Sequence, residues 1–232
     1  MAIYLEKGQN TQLSLDIFHI GLGWDVQEDN SSDEDFDLDV SAFMLTINKI
    51  IPNDDYLVFY NSANRVRPSN LSQIVSYKEW TNGRKNWTDA ENKAIRHESR
   101  PVDPDLSVIG SIDDEDGSTS EDGDDETMDI NLQKVRKDIN EIVICVSIHK
   151  YQERRQNFGQ VERAYVRLYK PGQAESEGEY VYDLSEDFST CASVEFCRLY
   201  RKDGGWKIQA LGIGHKGGLD ELLNKFVYGN NT

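Results

Sequence analysis

The chain is 232 residues long and carries a formal net charge of −17, with 42 Asp+Glu against 25 Lys+Arg. That balance excludes bulk nucleic-acid binding, because duplex phosphates attract basic surfaces. Its 38% apolar and 10% aromatic content is too rich for a wholly disordered chain, and no apolar run approaches the ~20 residues that a membrane span needs.

From the N-terminus, residues 2–22 read as short strands separated by turns, ending at Gly21, Gly23, Trp24 and Asp25. The basic start, apolar core and cleavage site of a secretory signal are not seen there. Residues 27–40, QEDNSSDEDFDLDV, hold seven acids and no base. Within them Asp33, Asp35, Asp37 and Asp39 fall on odd positions, while Phe36, Leu38 and Val40 fall on even ones. Period two predicts a strand over 36–47 that buries the even positions and lines the carboxylates up on the other face. A turn at 52–55 leads to YLVFYNS, predicted as a buried strand.

Residues 63–105 are polar and mildly basic, and read as an insertion. Thr88-Asp89-Ala90-Glu91 is a capping-box pattern that predicts a helix through about Arg96. Trp80 and Trp87 flank it; they either stack on bases beside Arg and Lys or pin the insertion to the core. Residues 103–129 hold twelve acids and no base, with Gly117 and Gly123 among them. Leu132, Val135 and Ile139 form an i, i+3, i+7 stripe that predicts a short amphipathic helix over 131–140. EIVICVSI (141–148) reads as a fully buried strand, and 163–169 and 179–184 as alternating strands. Residues 193–200 and 206–213 flank Arg201-Lys202-Asp203-Gly204-Gly205, a hairpin signal. LDELLNKF closes the chain as a helix. Strands outnumber helices, so the expected fold is an all-β sandwich of two mostly antiparallel sheets with a few short helices. One domain over 1–232 is expected, with 63–105 inserted.

The charge is not spread over this fold. The two acidic segments carry −19, and the other 191 residues hold 23 acids and 25 bases, a net of +2. Carboxylates two apart on a strand sit roughly 7 Å apart, and several on one face repel unless a cation neutralises them. An oxygen-only, carboxylate-rich set selects hard cations, with Ca²⁺ the best fit to a loop-borne cluster. Neither segment is an EF-hand: a loop starting at Asp33 places Leu38 where Gly is needed and Met44 where a bidentate Glu is needed. A calcium site must therefore be assembled from two distant segments. Solvated loops are the plainer reading of such charge runs.

Gly212-Ile213-Gly214-His215-Lys216-Gly217 matches GxGxxG, but too little chain follows for a second parallel strand. These glycines read as turn and helix-packing positions. His19, His97, His149 and His215 are widely spaced, so zinc is not expected. Cys145 reads as a small core residue. Cys191 and Cys197, six apart, would share a face if both lay on one strand. Three scattered cysteines make neither a disulfide framework nor a metal knuckle, and a reduced, cytoplasmic setting is expected.

GLGWD (21–25), FDLDVSAF (36–43) and GDDE (123–126) together resemble the TerD-like family of tellurium-resistance and stress-response proteins. IHKYQERRQNFGQV (148–161), YDLSEDFST (182–190) and FCRLYRKDGGWKIQALGIGHKGGL (196–219) extend the likeness over nearly all of the chain apart from about 63–105. The resemblance implies a calcium-binding β-sandwich that acts by binding or scaffolding rather than catalysis. It implies that the two acidic motifs meet around Ca²⁺, taken as two ions. By position it points to Asp37, Asp39, Asp124, Asp125 and Glu126, with Asp25 of GLGWD a weaker match. Asp113-Asp114 or Glu115-Asp116 takes the place of the family's GDN. The expected partners are other tellurium-resistance or stress-response proteins, at the inner face of the membrane. No strong nucleic-acid binding is expected. A metal-dependent hydrolase using the acidic cluster is the alternative, and nucleic-acid contact through the Trp-containing insertion is a third reading.

Overall fold

A computed structural model describes residues 2–26, 37–80, 88–112, 124–173, 178–183 and 188–229. Its strands, in chain order, are β1 (Ile3–Tyr4), β2 (Asn10–Gln12), β3 (Ile17–Val26), β4 (Leu38–Leu45), β5 (Leu57–Val58), β6 (Asn64–Arg67), β7 (Asn70–Ser76), β8 (Arg100–Pro101), β9 (Val108–Ile109), β10 (Glu126–Asn131), β11 (Glu141–Ile148), β12 (Val161–Tyr169), β13 (Tyr180–Asp183), β14 (Ser193–Lys202) and β15 (Gly205–His215). The helices are α1 (Tyr77–Trp80), α2 (Asp89–Glu98), α3 (Tyr151–Arg154) and α4 (Leu219–Phe226).

Two six-stranded sheets make a sandwich. The first runs β1-β13-β12-β3-β10-β9, and the second β2-β15-β14-β11-β4-β5. A small third sheet, β7-β6-β8, is built within residues 64–101. Pairing is antiparallel except between β1 and β13. Alternation explains the layers. Phe18, Ile20 and Leu22 of β3, and Met128 and Ile130 of β10, face Leu38, Val40, Ala42 and Met44 of β4 and Ile142, Ile144 and Val146 of β11 in one continuous core. All eight residues of β4 are buried, because its outer face is covered as well: Phe43 packs on Phe226 of α4, ring centroids 4.9 Å apart. The acidic strand thus has the expected two faces from Leu38 onwards; Phe36 lies outside the described residues.

Several expectations hold in detail. β11 and α4 span the predicted residues. Asp203 and Gly204 close the β14–β15 hairpin, both with positive φ, as a two-residue turn of matching twist requires. Thr88 accepts a hydrogen bond from the Glu91 amide and Glu91 answers on Thr88, a complete capping box for α2. Others are corrected. Residues 132–139 are turns rather than a helix. Leu132, Val135 and Ile139 are buried as the stripe implied. Their backbone instead makes short turn bonds, Lys134 to Asn131 and Ile139 to Arg136, and Arg201 takes the carbonyls of Ile139 and Val135 at 2.9 and 3.0 Å. No helical N–H donates to those carbonyls, and the Arg201 guanidinium takes that place. In YLVFYNS only Leu57–Val58 is strand. Gly212 and Gly214 lie inside β15 rather than in a turn, and Gly214 leaves the space taken by the Cys191 Sγ and the Phe188 ring. Cys191 precedes β14, so it shares no strand with Cys197; Cys145 and Cys197 are fully buried.

Candidate functional site

Four chain segments meet at one end of the sandwich: the starts of β4 and β10 and the ends of β3 and β11. β4 pairs with β11 so that Leu38 faces Ile148 and Asp39 faces Ser147. β10 pairs with β3 so that Glu126 faces Leu22. Each acidic segment thus delivers its last carboxylates to this end by running into a core strand.

The two segments touch through Glu126. It alternates inward with Met128 and Ile130, crosses between the sheets, and its Oε2 accepts the backbone N–H of Val40 at 3.1 Å. This bond satisfies a buried donor near the start of β4. Asp37 and Asp39 sit on the opposite, outer face of the second sheet. Both are buried, and basic groups of the turn after β11 and of α3 face them: His149 Nδ1 lies 3.5 Å from Asp39, and Arg154 3.6 Å from Asp37. The His149 amide also donates to the Asp37 carbonyl at 2.8 Å. The Asp39 hydrogen bond raises the His149 pKa against the opposing effect of burial. Tyr60 sets its ring edge-on to His149 at 5.7 Å. Asp39, Tyr60, His149, Tyr151 and Leu219 line a hollow of about 280 Å³.

Asp124 and Asp125 go to the other sheet. The Asp124 carboxylate lies over Gly21 and pairs with Arg167 Nε at 2.6 Å, fully enclosed. Asp125 Oδ2 accepts the Trp24 amide at 2.8 Å. Gly21 sits opposite Arg167, and Gly23 opposite Tyr165, on neighbouring strands; each glycine clears the room that its neighbour's carboxylate or ring fills. Burial, with the Asp124 charge beside it, pushes the Tyr165 hydroxyl up to about 12.

The predicted site residues therefore divide. Asp37 and Asp39 lie on the outer face at the start of β4 and Glu126 reaches the same strand from the core face, while Asp124 and Asp125 bind the β3–β12 face. The Asp25 side chain lies outside the described residues, as do Asp113, Asp114, Glu115 and Asp116. Asp103, the first acid of the second run, is a loop-former: its buried carboxylate accepts the amides of Asp105, Ser107 and Val108. Among the described residues no three His, Cys, Asp or Glu side chains gather in a metal-holding group. The donor chemistry suits a hard cation, but the described carboxylates are engaged by Arg, His or backbone N–H groups. A cation bound there would have to replace some of those contacts or draw ligands from 113–123. The sequence reading missed His149, Arg154 and Arg167. The alternation of Tyr165, Arg167 and Tyr169 along β12 was the available signal for Arg167. Trp80 is held against β6 and β7, its Nε1 donating to the Val75 carbonyl at 3.2 Å and Arg67 stacked on its ring at 4.0 Å. Trp87 lies outside the described residues.

The fold and this end of it define a two-sheet β-sandwich whose acidic strand starts are cross-tied from sheet to sheet. The chain belongs to the TerD domain family, which it matches over residues 1–86 and 99–226. It is 34% identical, over 97% of both chains, to the tellurium resistance protein TerD of an Alcaligenes species. It is 32% identical, again over 97% of both, to general stress protein 16U of Bacillus subtilis. The crystal structure of a Streptomyces coelicolor homologue of the telluride resistance protein TerD shares the fold, with a TM-score of 0.51 and 16% identity over 94% of this chain and all of that one. No helix among the described residues is long and apolar enough to cross a membrane.

Proposed function

We propose that the chain is a calcium-binding module of a tellurite- and stress-resistance system, acting by binding and scaffolding rather than by catalysis. The single observation that supports this reading most is the Glu126–Val40 bond. It joins two acid-rich segments far apart in sequence at one place, where a cation would relieve their mutual repulsion. Hard-cation chemistry follows from the all-oxygen donor set. The relatives' names supply the physiological setting. The expected partners are other proteins of that resistance system, working in the cytoplasm at the inner face of the membrane.

Titration calorimetry of the full chain with CaCl₂, beside a thermal melt with and without chelator, tests the reading. Heat of binding and a raised melting temperature are expected, both lost in an Asp39→Asn, Glu126→Gln double variant. No heat together with an unshifted melt sinks the calcium site.

A further inference from the structure

The outer face of the second sheet carries a second titratable cluster that the acidic segments do not use. His215, the last residue of β15, is half-buried between two carboxylates. Its Nε2 lies 2.6 Å from Glu195 of β14, and its Nδ1 lies 3.2 Å from Glu221 of α4. Lys225, one turn further along α4, also pairs with Glu195. The second Glu221 oxygen accepts the Gly217 amide at 2.6 Å, and Ser193 donates to the Gly217 carbonyl at 2.8 Å. The groups facing His215 are thus Glu195 from β14, Glu221 and Lys225 from α4, and, beyond Glu195, the buried Cys145 thiol of β11. Lys216 and Asp220 beside it are exposed.

An ionised carboxylate only accepts, and a neutral imidazole has one N–H. Both His215–carboxylate bonds can form together only when the ring is an imidazolium with two donors. Loss of one proton leaves a lone pair facing a carboxylate. The Glu195 bond is the shorter, so Nε2–H stays there and Nδ1 turns its lone pair on Glu221. Glu221 also holds the Gly217 amide, so the whole first turn of α4 is involved.

We propose that His215 is a proton-operated latch for α4: the imidazolium clamps the first turn of the helix to the second sheet, and deprotonation releases that turn while Phe226 stays packed. The direction of titration agrees, since the Glu195 hydrogen bond raises the His215 pKa against the effect of burial, with Glu221 adding to it. The latch contributes stability that is complete below the ordinary histidine value, about 6.5, and is lost as pH rises through the elevated folded-state value. Leu219, in that first turn, lines the hollow shared with Asp39 and His149, so the latch governs one wall of it.

Hydrogen exchange of residues 217–224 in the full chain, corrected for intrinsic rates and followed from pH 5.5 to 9, tests this. Protection should fall about tenfold or more with rising pH, with a midpoint equal to that of the His215 ring in an NMR titration. His215→Gln should abolish the step and sit at the unprotected level throughout. Glu221→Gln should keep the helix docked at high pH, because the amide can donate to the Nδ1 lone pair. A flat wild-type profile, a midpoint different from that of the His215 ring, or an undiminished step in His215→Gln overturns the latch. Should His215→Gln fail to fold, the two wild-type midpoints and Glu221→Gln still decide it.

Discussion

Asp124 folds its carboxylate directly over Gly21, in the space that a side chain on that residue would fill. Two motifs a hundred residues apart in sequence are therefore two halves of one contact, with Arg167 closing it from the next strand. Gly21→Ala should destabilise the protein by about 1–3 kcal/mol, the usual cost of overpacking. In an Asp124→Ala background the same change should cost much less. Urea denaturation of the four proteins of this cycle checks it; additive effects would show that the two residues do not share the space.

Glu126→Gln separates the structural role of this carboxylate from its proposed role as a calcium ligand. The amide oxygen still reaches the Val40 N–H, so stability without calcium should change by no more than about 1 kcal/mol. Calcium affinity should fall at least tenfold, about 1.4 kcal/mol, through loss of the charge. Glu126→Ala should lose both, since it also strands the Val40 amide. Calorimetry for affinity and urea melts for stability distinguish the two variants, and a Glu126→Gln protein binding calcium as tightly as the parent would remove this carboxylate from the ligand set.

Asp129 ties the small third sheet to the sandwich. It pairs with Arg100 of β8 at 2.8 Å and with His19 Nδ1 at 2.7 Å. Burial alone would raise its pKa, but the His19 hydrogen bond and the Arg100 charge bring it below the ordinary value. A depressed carboxylate contributes stability that is present above its unfolded pKa, near 3.9, and lost as pH falls through the folded value. Asp129→Asn should therefore be destabilised by about 1–3 kcal/mol at pH 7, and the difference from wild type should close as the pH drops below 4. Stability curves from pH 2.5 to 7 read this directly; a constant gap down to pH 2.5 would contradict it.

Arg201 stands in for the helix that the stripe at 131–140 predicted. Its guanidinium serves the carbonyls of Val135 and Ile139 while stacking on Trp206 at 4.4 Å. Arg201→Met keeps much of the stacking volume but strands both carbonyls, so a loss of about 2–4 kcal/mol is expected, one to two for each. A circular-dichroism melt within a degree of wild type would show that water replaces the guanidinium there.

The sequence reading succeeded where one local rule and the tertiary structure agree. β11, α4, the β14–β15 hairpin and the Thr88 capping box are set by short-range patterns that the fold does not oppose. It failed at Leu132, Val135 and Ile139, where burial was right but the period was taken for a helix: three apolar residues on a compact turn show the same spacing. For the candidate site, strand alternation made Asp37 and Asp39 legible as one face. That Glu126 would cross to Val40, while its neighbours Asp124 and Asp125 bind Gly21, Trp24 and Arg167, depends on strand order, which no local pattern carries. The basic partners His149 and Arg154 were hidden for the same reason, since they reach the acids only because β11 lies beside β4.

The Glu126–Val40 bond also changes the statistics of the chain. Asp37 and Asp39 run into β4 and Asp124 and Asp125 into β10, so two acidic runs far apart in sequence are carried to the same end of the sandwich by strands that this bond joins. Tethering of this kind replaces two independent encounters by one, with an effective concentration in the millimolar range for short linkers. Folding of the sandwich thereby meets much of the entropy cost of bringing the two runs to one end.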